Sequence, residues 1–250
     1  MSLSAWQSAL VELVSEPRPT ELPAADSSLT DAERAWLLRA AGSPGLRLTR
    51  TIQRSWRRMR LQSALRFTWS LLPQPHRDSL IEAYLDARSC TSFFDVPEAC
   101  AFLEFALPRL PPVAHLESLC RFERALLASA AEATFLGALE PEADCASPSA
   151  LGLQLEQNPA AALVTFAAPL EDLLETVLLE QPLPPPESQV YPVLIAPRIP
   201  HHFRTANSSE VAVAKALTAG PRPLTALRFI PDADTVAAEL LRVEFLRGTQ

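Results

Sequence analysis

A chain of 250 residues, 48% hydrophobic and 20% charged, holds enough apolar material for one large domain or two small ones, each with a real core. Its formal net charge of -7 at pH 7 excludes a nucleic-acid binder that works by bulk charge. With 24 prolines against 6 glycines, stiff stops replace flexible joints, and there is too little glycine for most phosphate or dinucleotide loops.

In chain order, Met1–Val14 places Leu3, Trp6, Leu10 and Leu13 at helical spacing. It lacks the basic start and long apolar run of a secretory signal, and no stretch of the chain reaches bilayer length, so a cytoplasmic protein is expected. Pro17–Ser28 reads as a linker. Thr30 and Glu33 have the spacing of a capping box and open a helix to about Ala41. After the Gly42–Gly45 turn, an arginine-rich helix is predicted to run to Leu72 and stop at Pro73. At 100° per residue, Ile52, Trp56, Met59, Ser63 and Phe67 share one face, which is expected to be core. Arg47, Arg50, Arg54, Arg57 and Arg58 fall opposite, followed by Leu61, and suit a solvated face or a partner interface. Arg66 is placed on the core face, and Glu123 in an apolar stripe further along. Buried charges need partners, so Arg66 and Glu123 are expected to pair.

Helices are predicted over His76–Arg88, Pro97–Leu107 and Val113–Phe135. Composition shifts after about Leu139, and Glu140–Ala150 reads as a linker. Strands are expected at Leu151–Leu155, Ala162–Phe166, Val190–Ala196 and His201–Ala206. A helix capped by Asn207 or Ser208 stops at Gly220, and a last helix, Thr235–Arg247, starts from a cap at Asp232 or Asp234. The expected fold is therefore α+β and mainly α. A helical domain spans 1–139, a linker 140–150, and a small winged-helix-like domain 151–250.

No catalytic constellation emerges. The four cysteines (Cys90, Cys100, Cys120, Cys145) have no metal-binding spacing and read as free thiols. Adjacent His201 and His202 on a strand point to opposite faces, so no metal site is expected in this chain.

The run RSWRRMR…ALRFTWSLLP…LIEAYL…FLEFA…HLESLCRFERALLASA resembles the helper subunits, once labelled DNA-binding domains, of barrel-shaped multinuclear non-haem iron oxidases. These act in ribosomal-peptide pathways such as methanobactin and 3-thiaglutamate biosynthesis. Arg54, Trp56, Leu72, Pro73, Tyr84, Leu85, Phe122, Glu123 and Ala125 match the family pattern, whereas Ser55-Trp56 stands where many members have Asn and Tyr. From Val190 the chain also resembles the leader-recognition modules of ribosomal-peptide biosynthesis. In those modules a peptide adds as a strand beside a hairpin edge. That likeness implies contacts from Phe203, Arg204, Thr205 and Ala206, with Val243 and Leu246 on the helix side. The combined resemblance implies a non-catalytic partner subunit, with iron held by the oxidase, the Arg47–Leu61 face at the interface, and a precursor leader as ligand. The cysteine chemistry it implies is excision of the methylene carbon. A DNA-binding regulator using the arginine helix is the alternative, and a structural scaffold without a peptide groove is a third.

Overall fold

The computed structural model describes residues 3–15, 29–88, 95–136 and 154–249. The fold is α+β and mainly α, and it divides into two compact units, Met1–Arg109 and Leu110–Gln250. The expected linker at 140–150 lies outside the described residues.

In the first unit, α1 (Leu3–Ser15), α2 (Asp31–Ala41) and α3 (Pro44–Ala64) pack around Ala9, Leu13 and Leu37. The Thr30 capping box forms as its spacing predicts. The Glu33 amide donates to Thr30 Oγ1 at 3.3 Å, and the Thr30 amide donates to the Glu33 carboxylate at 2.7 Å. That bond, with a second from the Thr30 hydroxyl, holds the Glu33 pKa below its ordinary value. Ser43 caps α3, and Pro44 fills its first turn, where a missing N–H costs nothing.

The arginine helix ends at Ala64, short of the predicted Leu72. Leu65 is extended, and α4 (Phe67–Leu71) follows as a separate short helix. At the break the Leu61 carbonyl accepts both the Leu65 amide at 3.2 Å and the Trp69 indole at 2.8 Å. Next come α5 (Gln74–Ala87) and α6 (Asp95–Ala106). Tyr84 stands edge-on to Phe102 and Phe105, and Trp69 is tilted against Phe102. These rings, with Leu61, Leu65, Leu72, Ile81 and Leu85, are among the buried residues of this unit.

The second unit starts with α7 (Leu116–Leu136). Its packing partners are β2 (Ala162–Phe166) and β3 (Tyr191–Ile195), so the helix expected to close the N-terminal domain belongs with the sheet. β2, β3 and β4 (Phe203–Thr205) form one antiparallel sheet in that order. Phe122 of α7 meets Phe166 and Phe203 edge-on, at 5.9 and 5.3 Å between centroids. α8 (Leu170–Leu178) follows β2 and buries Leu170, Leu173 and Val177.

The rest alternates short helices and strands. α9 (Ser208–Leu217), β5 (Arg222–Pro223), a tight helical turn at Leu224–Leu227, α10 (Ala233–Arg242) and β6 (Leu246–Thr249) follow one another. β1 (Gln154–Gln157) lies between β5 and β6, so the middle strand of this small sheet comes from before the helices.

α10 is shorter than the expected Thr235–Arg247 helix. Glu244 takes φ 59°, while the amides of Phe245 and Glu244 donate back to Leu240 and Leu241. That is a left-handed helix stop, here without glycine. Buried Asn158 secures it, its Nδ2 donating to the Glu244 carbonyl at 2.9 Å.

Candidate functional site

β4 ends its sheet, and its register shows which of its groups face away from β3. The Ala196 amide donates to the His202 carbonyl at 3.0 Å, and the Ala206 amide to the Pro192 carbonyl at 2.9 Å. With Leu194 opposite Arg204, residues 202, 204 and 206 turn their main chain toward β3. In an antiparallel ladder the intervening residues must turn theirs outward. Phe203 and Thr205 therefore present the free edge. Among the described residues no further strand pairs with it.

Arg204 is held in place by the first turn of α9 and by its own strand. Its guanidinium donates to both carboxylate oxygens of Glu210 (2.9 Å for the Nη1 to Oε2 bond), and its Nη1 also donates to the Thr205 carbonyl at 3.1 Å. Glu210 is the third helical residue of α9 and accepts from the Asn207 amide at 2.9 Å, while its own amide donates to Asn207 Oδ1 at 2.9 Å. This is a complete capping box with an arginine added. Burial alone raises the Glu210 pKa, but the bonds from Arg204 and the Asn207 amide outweigh it and hold the carboxyl below its usual value. The Glu210 bond raises the Arg204 pKa in return, and Glu239 and Arg242 of α10 also act on it through space. The edge thus lies within the field of the last helix.

Not every predicted contact residue is at this edge. Phe203, Arg204 and Thr205 are partly or fully exposed, but Ala206, Val243 and Leu246 are core residues at 6%, 3% and 1% exposure. Val243 and Leu246 pack inward because α10 stops at Arg242 and the chain turns into β6. They are withdrawn as groove residues.

The arginine face, expected to be an interface, is largely neutralised by acids of α5 and α6. Arg57 is 5% exposed and Leu61 0%. Arg57 Nε donates to Glu98 Oε1 of α6 at 2.7 Å, and its Nη1 donates to the Arg88 carbonyl at 2.9 Å. Its guanidinium also lies 5.4 Å from the Tyr84 ring centre. Arg54 and Arg58 both pair with Glu82 of α5, and Arg54 also reaches Asp86 at 2.8 Å. Arg50 donates to the Leu13 carbonyl at 2.7 Å and so caps the end of α1. Of the five arginines, Arg47 alone is fully exposed. The face expected to be core is the outer one, with Ile52, Trp56 and Met59 at 46%, 61% and 58% exposure. Arg66, placed on the core face by periodicity, is exposed, because α3 ends before it, whereas Glu123 is buried as expected.

Glu98, Glu82, Asp86 and Glu210 are the acids that sequence reasoning missed. For Glu210 the signal was present, since Asn207 and Glu210 have capping-box spacing. For the other three there was none, because their arginines lie 24 to 41 positions away.

Among the described residues no cluster of three His, Cys, Asp or Glu side chains could hold a metal ion. His201 and His202 take φ 60° and 68° in a turn before β4, so the expectation that they lie on the strand does not hold. Cys100 and Cys120 are in no disulfide among the described residues, and Cys90 and Cys145 lie outside the described residues. No described helix is long and apolar enough to cross a membrane. Neither the family models nor the curated proteins compared with this chain match it.

Proposed function

We propose that this chain is a non-catalytic partner subunit that captures the leader of a ribosomally made precursor peptide on the β4 edge. It would present the peptide's cysteine to a multinuclear non-haem iron oxidase for oxidation. The observation that carries the reading is the open edge at Phe203 and Thr205, backed by the Arg204–Glu210 pair. An extended leader pairing there satisfies main-chain groups that otherwise bond only to water. Because the Arg204 guanidinium already donates to the Thr205 carbonyl, the leader would use the Phe203 amide and carbonyl and the Thr205 amide. The resemblance of residues 47–131 to iron-oxidase helper subunits supplies the enzyme partner. Iron and catalysis belong to that partner, in a cytoplasmic heterodimer, and methylene excision from the cysteine is the chemistry the resemblance favours.

The test is co-purification with a barrel-type iron oxidase, with and without a fluorescent precursor peptide. An iron-containing complex that binds the leader only when this chain is present supports the reading. No complex and no peptide binding removes it. The DNA-binding alternative draws on Arg54, Arg57 and Arg58, which are already engaged by carboxylates. It predicts affinity for duplex DNA that falls steeply with salt.

A further inference from the structure

The outer face of α3 is unlike an ordinary solvated helix face. Leu48, Thr51, Ile52, Ser55, Trp56 and Met59 fall within about 140° at 100° per residue, and all six are exposed. Leu48 is 61% exposed, as is Trp56. None of the six is charged. Large apolar side chains gathered in this way on a surface mark an interaction site more often than scattered ones do.

One margin of this face is cationic. Arg47 is exposed beside Leu48, and the Arg58 side chain is 38% exposed even while paired with Glu82. Between positions 34 and 77 the chain has ten arginines and no acidic residue. A second copy of α3 therefore brings no carboxylate to meet this margin. The size of the face argues the same way. It is about 17 Å long and roughly 10 Å wide, far below the ~800 Å² per partner of a standard stable interface. It fits one helix.

We infer that the outer face of α3 docks an amphipathic helix from a partner protein, an apolar stripe with acidic flanks. The partner's apolar residues cover Ile52, Trp56 and Met59, and its carboxylates meet Arg47 and Arg58. This surface replaces the arginine face as the place where a protein partner engages the helical unit, and in that sense it rests on the partner-subunit reading.

The test uses the full chain and two synthetic 18-residue helical peptides with the same leucine stripe, one flanked by Glu and one by Lys. Binding is followed by Trp emission and calorimetry. The Glu peptide is expected to bind at least tenfold more tightly than the Lys peptide. Trp56→Gln, at an exposed position, should weaken it at least tenfold with an unchanged circular dichroism spectrum, and Arg47→Glu should narrow the preference between the peptides. Equal affinity for both peptides, no affinity for either, or indifference to Trp56→Gln overturns the inference. So does a homodimer in ultracentrifugation that Trp56→Gln dissolves, or binding to vesicles of neutral and anionic phospholipid in place of the peptides. Leader capture on β4 is read separately with the fluorescent precursor, so failure of one does not imply failure of the other.

Discussion

Arg57 on α3 and Glu98 on α6 form an ion pair that is nearly closed to water, with side-chain exposures of 6% and 0% and a 2.7 Å contact. The pair ties the arginine helix to the aromatic core through Tyr84. Two buried charges of this kind hold each other in place more than they stabilise the fold, because desolvation offsets much of their attraction.

Removing one partner leaves the other charge uncompensated. Glu98→Gln or Arg57→Met is expected to destabilise the protein by about 3–5 kcal/mol. The double substitution Arg57→Met with Glu98→Leu should recover most of that loss. Urea denaturation of the three variants measures this, and a double mutant as unstable as the worse single mutant would show that the pair contributes shape rather than charge balance.

The Arg204–Glu210 pair makes a pH prediction. The folded carboxyl of Glu210 sits below its unfolded value, so its contribution is complete above the ordinary Glu pKa of about 4.3. It is lost as pH falls through the lower folded value. Glu210→Gln should be less stable than the parent at pH 7, with the gap closing below about pH 4. Denaturation midpoints between pH 7 and pH 3 give the answer. A gap that stays constant across that range would count against the pair.

Thr205 tests the peptide edge. Thr205→Pro removes an amide that faces away from β3, so the sheet keeps its internal bonds while an added strand loses one. Leader affinity should fall about tenfold, from one lost bond and one unsatisfied carbonyl. Arg204→Pro removes an inward amide and should instead lower stability. Peptide affinity measured by fluorescence anisotropy decides, and equal affinity for the parent and Thr205→Pro would place the leader elsewhere.

Trp69→Phe keeps an aromatic ring against Phe102 but removes the indole donor to the Leu61 carbonyl. A loss of about 0.5–1.5 kcal/mol is expected, since the Leu61 carbonyl keeps the Leu65 amide and loses only its side-chain partner. Thermal unfolding monitored by circular dichroism checks it, with Trp56→Phe as the exposed control that should change little.

Much of the fold was legible before any coordinates. Spacing alone marked the Thr30–Glu33 box and the cap at Asn207, while the helix after it ends at Leu217, short of the expected Gly220. These caps depend on contacts within four residues. The strand at Phe203–Thr205 lies within the expected His201–Ala206 run, whereas the resemblance alone pointed to its edge. What failed were the extents of helices whose ends are made by distant groups. α3 stops where Trp69 bonds to the Leu61 carbonyl, and α10 stops where Asn158, 86 positions from Glu244, bonds to the turn.

For this protein, then, sequence by itself determined the caps at Thr30 and Asn207 and that α3 has two unlike faces. Only the tertiary structure decided which of those faces turns inward. Periodicity distinguishes an arginine side from an apolar side, and the usual preference buries the apolar one. Here Glu82, Asp86 and Glu98 arrive from α5 and α6, neutralise Arg54, Arg57 and Arg58, and let the arginine side pack. Ile52, Trp56 and Met59 are left in water, because burying a charge depends on its partners and those partners are brought close by the fold alone.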